Sequence, residues 1–233
     1  MGGTDRRAGP GDLADLAKAL GDLGAATLGE SGGLAMHSRV RPVWPGASLV
    51  GPAYTVRCAP GDNLAVHAAV TRAPAGSILV VDVGPIARRG YWGEVLTTGA
   101  EARGISGLVI DGGVRDTAAL EAHRFAVFAT TVALPGATKV LPGATGGTVR
   151  VGGVPVSAGD WIVGDGDGVV VVALHRLEQV VAAARERASK EERMFGELRD
   201  GRTTVELLGL DAGLIADLEP PVALQRDGGS EGR

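Results

Sequence analysis

Aromatic residues make up only 3% of this 233-residue chain, and cysteine occurs once, as Cys58. With so few rings, a core must be assembled from Val, Leu, Ile and Ala, which an apolar content of 45% can supply. A single thiol excludes an internal disulfide and a cysteine-rich metal site, and Cys58, at the end of an apolar stretch, reads as a small core residue. No Lys/Arg cluster gathers in one segment and the formal net charge is −4. The basic footprint that phosphate-backbone binding needs is therefore missing, which argues against a nucleic-acid partner. No apolar run approaches membrane-spanning length, and the charged, glycine-rich first residues do not resemble a signal peptide, so a cytoplasmic protein with no membrane partner is expected. Neither a Walker loop nor a G-x-G-x-x-G opening a helix after a strand is present. Nucleotide-cofactor and methyltransferase chemistry therefore lack a cofactor site.

Glycine, by contrast, is abundant. The 38 glycines are dispersed at strand starts and turns instead of forming a repeat, which excludes collagen-like and linker readings. The length suits one α/β domain. Met1–Pro10 and Pro220–Arg233 have disordered composition, leaving a domain over residues 11–219. Helical spacing is expected over Gly11–Leu23, Asn63–Arg72, Glu94–Arg103, Thr117–His123 and His175–Leu198. The segments P-G-A-S-L-V (45–50), A-G-S-I-L-V (75–80) and A-G-D-W-I-V (158–163) share one form, a glycine turn followed by an apolar strand. They echo one another but are too short to establish a duplication. Strands interspersed with helices argue for α/β layers, while the glycine-punctuated β-rich stretch from Val140 to Val172 departs from pure βαβ alternation. D-G-D-G at 165–168 lacks the remaining ligands of a calcium loop and reads as a hairpin turn.

The most informative stretch is G-L-V-I-D-G-G-V-R-D, residues 107–116. An apolar strand ends in an acid and two glycines, then Arg115 and Asp116, then a helical run from Thr117. Two readings stand open. Asp116 is either the N-cap of that helix, beside a solvated Arg115, or the pair serves an oxyacid and a divalent cation together. Upstream, the strand Ile78–Val81 ends at Asp82, a loop follows, and a helix opens at Gly93-Glu94-Val95-Leu96. Exposed N–H groups at such a helix start bind anions, and its dipole favours the carboxylate of Glu94.

Together, G-E-V-L at 93–96, D-G-G-V-R-D at 111–116 and G-P-A-Y-T-V-R at 51–57 resemble the RraA-like family. The resemblance runs from R-V-R-P-V-W-P-G (39–46) to V-E-L-L-G-L (205–210), most of the chain. That family holds metal-dependent (class II) pyruvate aldolases acting on 4-hydroxy-4-methyl-2-oxoglutarate and 4-carboxy-4-hydroxy-2-oxoadipate. It also holds the regulator of ribonuclease E activity and proteins long mislabelled as demethylmenaquinone methyltransferases. The resemblance implies a single-domain α/β sandwich of the swivelling β/β/α type, assembled as a homotrimer or hexamer with the site at a subunit interface.

It also implies a lyase releasing pyruvate from small 4-hydroxy-2-oxo acids, with oxaloacetate decarboxylase side activity. Asp116 would hold Mg²⁺ or Mn²⁺, and Arg115 would pair with the pyruvyl oxygens and the developing negative charge. Backbone N–H groups of Gly93, Glu94, Val95 and Leu96 would bind the carboxylate. Glu94, with Glu191 from a neighbouring subunit, would position a water as proton shuttle. On residues alone Glu191 reads instead as an i,i+4 partner of Arg187 on a solvated helix face, and Glu192 is the alternative by register. Aldolases resembling this pattern often carry Asp where this chain has Glu94, and a displacement of ~1 Å can cost roughly a hundredfold in rate. Asn63 and His67 match residues frequent in the family, which implies a supporting place near the site, whereas on its own His67 reads as a satisfied histidine. Lys139, in a Pro- and Gly-rich loop, shows no sign of the burial a Schiff-base lysine needs. The rival from another class is a non-catalytic protein that binds and inhibits an RNA-degrading enzyme.

Overall fold

A computed structural model describes residues 10–216. The two terminal segments expected to be disordered lie outside the described residues, apart from Pro10. Of these, residues 10–189 form one compact unit and residues 190–216 belong to a second.

The first unit is a mixed α/β fold. In chain order it runs α1 (Pro10–Glu30), β1 (Leu34–Ala35), β2 (Arg41–Pro42), β3 (Leu49–Arg57), α2 (Leu64–Arg72), β4 (Ile78–Asp82), β5 (Gly90–Trp92) and α3 (Glu94–Glu101). It continues with β6 (Gly107–Val114), α4 (Thr117–Ala122), β7 (Val127–Val132), β8 (Ala144–Thr145), β9 (Thr148–Val151), β10 (Val154–Ser157), β11 (Trp161–Gly164), β12 (Val169–Val172) and the start of α5 (Leu177–Arg199). One sheet has the order β1-β12-β11-β3-β4-β6-β7-β2, with β5 added to β6 and β8 to β3; β9 and β10 form a separate ribbon. Its centre, β3-β4-β6-β7, is parallel, and its flanks are antiparallel. The central β4 and β6 are buried on nearly every residue, as a parallel sheet covered on both sides requires.

Two apolar clusters hold the layers. One joins the central strands to α2, α3, α4 and the β9–β10 ribbon. The other packs Leu20, Ala25 and Leu28 of α1 and Val180, Val181 and Ala184 of α5 on Trp161, Val163, Val170 and Val172. The expected poverty of rings is real: β-branched and aliphatic side chains fill most of both clusters. Cys58 is buried as expected, and its thiol is pushed up to about 12, first by burial and then by the charges of Asp62 and Asp82.

Several expectations are refined. The first helix runs past Leu23 to Glu30, across a kink where Gly24 takes φ 75°. Asp165 explains it, because its Oδ2 accepts the N–H of Ala25 at 2.8 Å and so starts the second half of the helix. The D-G-D-G segment is the β11–β12 hairpin turn, with Gly164 opposite Val169. A short strand, β5, stands where only a loop was expected. No helix among the described residues is long and apolar enough to cross a membrane.

The second unit contains the end of α5 and a short helix α6 (Thr204–Leu208). A capping box between Thr203 and Glu206 starts α6, and Gly209 in the left-handed region ends it.

Candidate functional site

The strand β6 delivers Arg115 and Asp116 because its glycine pair lets another segment lie on it. A Cβ at Gly112 would fall 2.8 Å from the Val83 side chain, and one at Gly113 only 2.5 Å from the carbonyl of Arg89. With no side chains there, the 84–92 loop crosses close over the strand, and Gly113 N–H bonds Ala87 O at 2.8 Å. That loop then runs into β5, parallel to the end of β6, and Arg115 N–H bonds Trp92 O at 3.0 Å. The next residue is Gly93, the start of α3. Two helix starts, at Gly93 and Asp116, are thus brought side by side by one strand pairing.

Three of the chain's eight aromatics, Tyr91, Trp92 and Phe125, sit at this junction. Trp92 is 1% exposed, stacks on Phe125 with ring centroids 5.8 Å apart, and donates its indole N–H to Thr97 Oγ1 at 2.8 Å. Tyr91 accepts the N–H of Gly61 and donates to Ile86 O. Asn63, 4% exposed, donates its amide to Tyr91 O.

Asp116 stands at the N-cap position of α4, but its side chain caps nothing there. Its backbone is left-handed, φ 58° and ψ 38°, a conformation that costs a residue with a Cβ about 1 kcal/mol or more. The carboxylate turns instead to α3, where Oδ2 accepts the N–H of Glu94 at 3.1 Å and lies 3.7 Å from Arg115 Nε. Gly93 makes this approach possible: a Cβ there would sit 2.4 Å from Asp116 Oδ2 and 3.1 Å from Arg115 Cγ. The capping reading of Asp116 therefore fails on its bonding, and a strained residue pointing its charge at a neighbouring helix start takes its place.

Gly93, Val95, Leu96, Arg115 and Asp116 line one cavity of about 280 Å³, closed on its other sides by Asn63, His67, Tyr91, Trp92, Ala137 and Lys139. Of the amides expected to bind a carboxylate, that of Glu94 is taken by Asp116 and that of Leu96 by Gly93 O. The Glu94 side chain is not part of the lining. It points to His123 on the far side of α3, 3.8 Å from Nε2, while His123 Nδ1 holds Glu101 at 2.8 Å. Glu191 and Glu192 belong to the second unit. There Glu191 is half-buried and Glu192 is exposed, 3.9 Å from Arg199. Arg187 pairs with Glu30.

The cavity also contains what reading the residues undervalued. Asn63 Oδ1 and His67 Nε2 are buried at its wall and find no hydrogen-bond partner among the described residues. His67 is held neutral, its pKa lowered first by burial and then by the charge of Lys139. His67 is thus not the satisfied histidine that its lone occurrence implied. Lys139, read as a loop residue, reaches the same wall.

A larger cleft of about 680 Å³ opens beside Arg39, Asp82, Asp111 and Arg150. Its charges are largely spent on structure: Arg39 donates to both oxygens of Asp111, which also accepts Gly152 N–H, and Arg150 bonds Gly153 O. The smaller cavity, with its unpartnered buried polar atoms and strained carboxylate, is the better candidate. Among the described residues no group of three or more His, Cys, Asp or Glu is arranged to hold a metal ion.

The family model described as "RraA-like: Aldolase/RraA" matches residues 12–171. A Halalkalibacterium halodurans protein named "Putative 4-hydroxy-4-methyl-2-oxoglutarate aldolase" is 36% identical over 157 residues, covering 67% of this chain and 75% of its own. Among solved structures, an uncharacterized protein from Pseudomonas syringae superposes with a TM-score of 0.75 at 26% identity, over 85% of this chain and 94% of the other. Streptomyces coelicolor RraAS2, described as an unusual member of the RNase ES inhibitor RraA protein family, gives 0.68 at 27% identity, over 79% and 98%.

Proposed function

This chain belongs to the RraA-like family, and we propose that it is a divalent-metal-dependent carbon–carbon lyase. In this reading it releases pyruvate from a 4-hydroxy-2-oxo acid by retro-aldol cleavage and decarboxylates oxaloacetate as a side activity. The observation that carries the reading is the meeting of Arg115, Asp116 and the Gly93–Leu96 helix start at one small cavity. The aldolase name of a relative at 36% identity supports it.

The donor set fits a hard divalent cation. Asp116 offers one carboxylate, partly engaged by an amide. Mg²⁺ and Mn²⁺ commonly take one or two carboxylates and complete their shell with water and substrate oxygens, whereas zinc sites gather three or four side chains. Asp116 would hold the ion, which when bound supplies Lewis acidity toward the keto and carboxylate oxygens of a pyruvyl unit.

The protein's own residues do the rest. Arg115 binds the pyruvyl oxygens through its fork and stabilises the negative charge that develops as the carbon–carbon bond breaks. Of the Gly93–Leu96 helix start, the N–H groups not already taken by Asp116 and by Gly93 O, those of Gly93 and Val95, hold the carboxylate, with the helix dipole behind them. Trp92 and Leu96 keep one wall of the cavity apolar, which strengthens these charges by excluding water. Proton transfer falls to Glu94, whose carboxylate has to leave His123 for this, together with Glu191 of a neighbouring subunit in a trimer or hexamer.

The test is pyruvate release, with Mg²⁺ present, from a panel of 4-hydroxy-2-oxo diacids and oxaloacetate. Turnover of at least one panel member by the wild type is expected; no release from any of them contradicts the reading. The likeness to RraAS2 favours a second reading, binding and inhibition of an RNA-degrading enzyme. Inhibition of a purified RNase E-type enzyme by a protein inactive on the whole panel decides for it.

A further inference from the structure

Lys139 reaches the cavity from a segment that is neither helix nor strand, and Thr138 to Leu141 are all exposed. Loops of that kind open readily unless something ties their backbone down. Here the tie is one carboxylate. Asp62 is 1% exposed, and its Oδ2 accepts from the Thr138 hydroxyl at 2.7 Å, from Val140 N–H at 2.7 Å and from Leu141 N–H at 3.0 Å. Its Oδ1 accepts Leu64 N–H at 2.8 Å, at the start of the helix that carries His67.

Backbone bonds close the clasp on both sides, Thr138 N–H to Gly61 O and Asn63 N–H to Thr138 O, each 2.9 Å. Lys139 therefore lies between two residues that are both bonded to Asp62. Among the described residues its own ammonium reaches only the carbonyl of Ala137, at 3.5 Å, so little besides the loop's fixed path aims it. Burying a carboxylate is costly unless a full set of donors replaces its lost hydration. Burial alone pushes the Asp62 carboxyl up, yet its hydrogen bonds outweigh this and hold it well below the usual 3.8. The charge is therefore present at neutral pH, and nothing in retro-aldol chemistry uses it directly.

We propose that Asp62 is a positioning residue: its buried carboxylate clasps the 138–141 loop to the start of α2 and so holds Lys139 against the cavity, facing the anionic end of the substrate remote from Arg115. The substrate half of this rests on the lyase reading; the clasp does not.

Two measurements on the full-length protein test it. The first is trypsin cleavage at the Lys139–Val140 bond, mapped by mass, in wild type and Asp62→Ala. Cleavage there should accelerate about tenfold or more once the clasp is gone, with other sites unchanged. The second is a double-mutant cycle of Asp62→Ala and Lys139→Met, followed by pyruvate release from 4-hydroxy-4-methyl-2-oxoglutarate. Each single variant should raise KM more than it lowers kcat, and the double variant should be no worse than Lys139→Met alone, because Asp62 acts through Lys139. Multiplying effects in the double variant, or an unchanged cleavage rate, overturn the proposal. Should Asp62→Ala fail to fold, Thr138→Val removes one strut and is expected to shift both readouts in the same direction by less. A wild type that releases no pyruvate sinks the lyase reading, and the cleavage arm then decides the clasp on its own.

Discussion

The carboxylate of Asp116 accepts the backbone N–H of Glu94 at 3.1 Å, joining the starts of two helices that are 22 residues apart in sequence. One residue thereby serves a left-handed turn, a neighbouring helix terminus and the charge balance of Arg115. The contact separates the effects of different substitutions at position 116. Asp116→Asn keeps an acceptor for Glu94 and tolerates the left-handed backbone, so thermal stability should stay within a few degrees of wild type while pyruvate release is almost lost. Asp116→Ala loses both features and should also be destabilised by about 1–3 kcal/mol in denaturant melts. Asn and Ala variants equally unstable and equally inactive would mean that position 116 only supports the fold.

Gly93 offers a test that leaves every charged group in place. Its backbone is extended, so alanine meets no conformational penalty there, but the new Cβ would collide with Asp116 Oδ2. Gly93→Ala should therefore displace that carboxylate and cut kcat about a hundredfold, the scale expected of an ångström-sized misplacement. Near-normal kcat in a folded variant would show that the Asp116–Glu94 contact is dispensable.

For Arg115 the expected signature is kinetic. A lysine keeps the charge but not the planar fork, so Arg115→Lys should lower kcat as well as raise KM. An effect confined to KM would reduce Arg115 to uniform binding of substrate.

The pH dependence follows from His67. Its folded-state pKa lies below the ordinary 6.5, mainly through burial and secondarily through Lys139. The unfolded chain therefore takes up the proton first as pH falls. The stability contributed by neutral His67 is full above about 6.5 and is lost as pH drops through that value toward the folded-state pKa. His67→Gln should flatten this part of the stability–pH curve. In the native protein, Lys139→Met should move the His67 titration upward, toward 6.5, in an NMR experiment. An unmoved titration would place the Lys139 charge away from the cavity.

Much of this was legible in the chain itself. The strand ending in Arg115-Asp116, the helix opening at Gly93 and the D-G-D-G hairpin all follow from local rules of turns and helix ends. The parts that were not legible depend on where the chain returns in space. Nothing about N-L-A-V-H spacing (63–67) announces that Asn63 and His67 face Arg115, because the link runs through Tyr91, and Tyr91 is placed by the close passage of the 84–92 loop over Gly112 and Gly113. That the loop residue Lys139 reaches the cavity was hidden because the loop's anchor, Asp62, lies 77 positions earlier. The bonding of Asp116 was hidden for the same reason: a cap-forming residue followed by a helix has the same sequence whether its carboxylate folds back or crosses to another helix.

The account turns on divalent-metal dependence at Asp116, and chelation tests it most directly. Protein stripped with EDTA should release no pyruvate from a panel substrate that the untreated enzyme turns over. Added Mg²⁺ or Mn²⁺ should restore release in the wild type, but not in Asp116→Asn. Undiminished turnover after thorough chelation, or metal rescue of Asp116→Asn to wild-type rates, would contradict it.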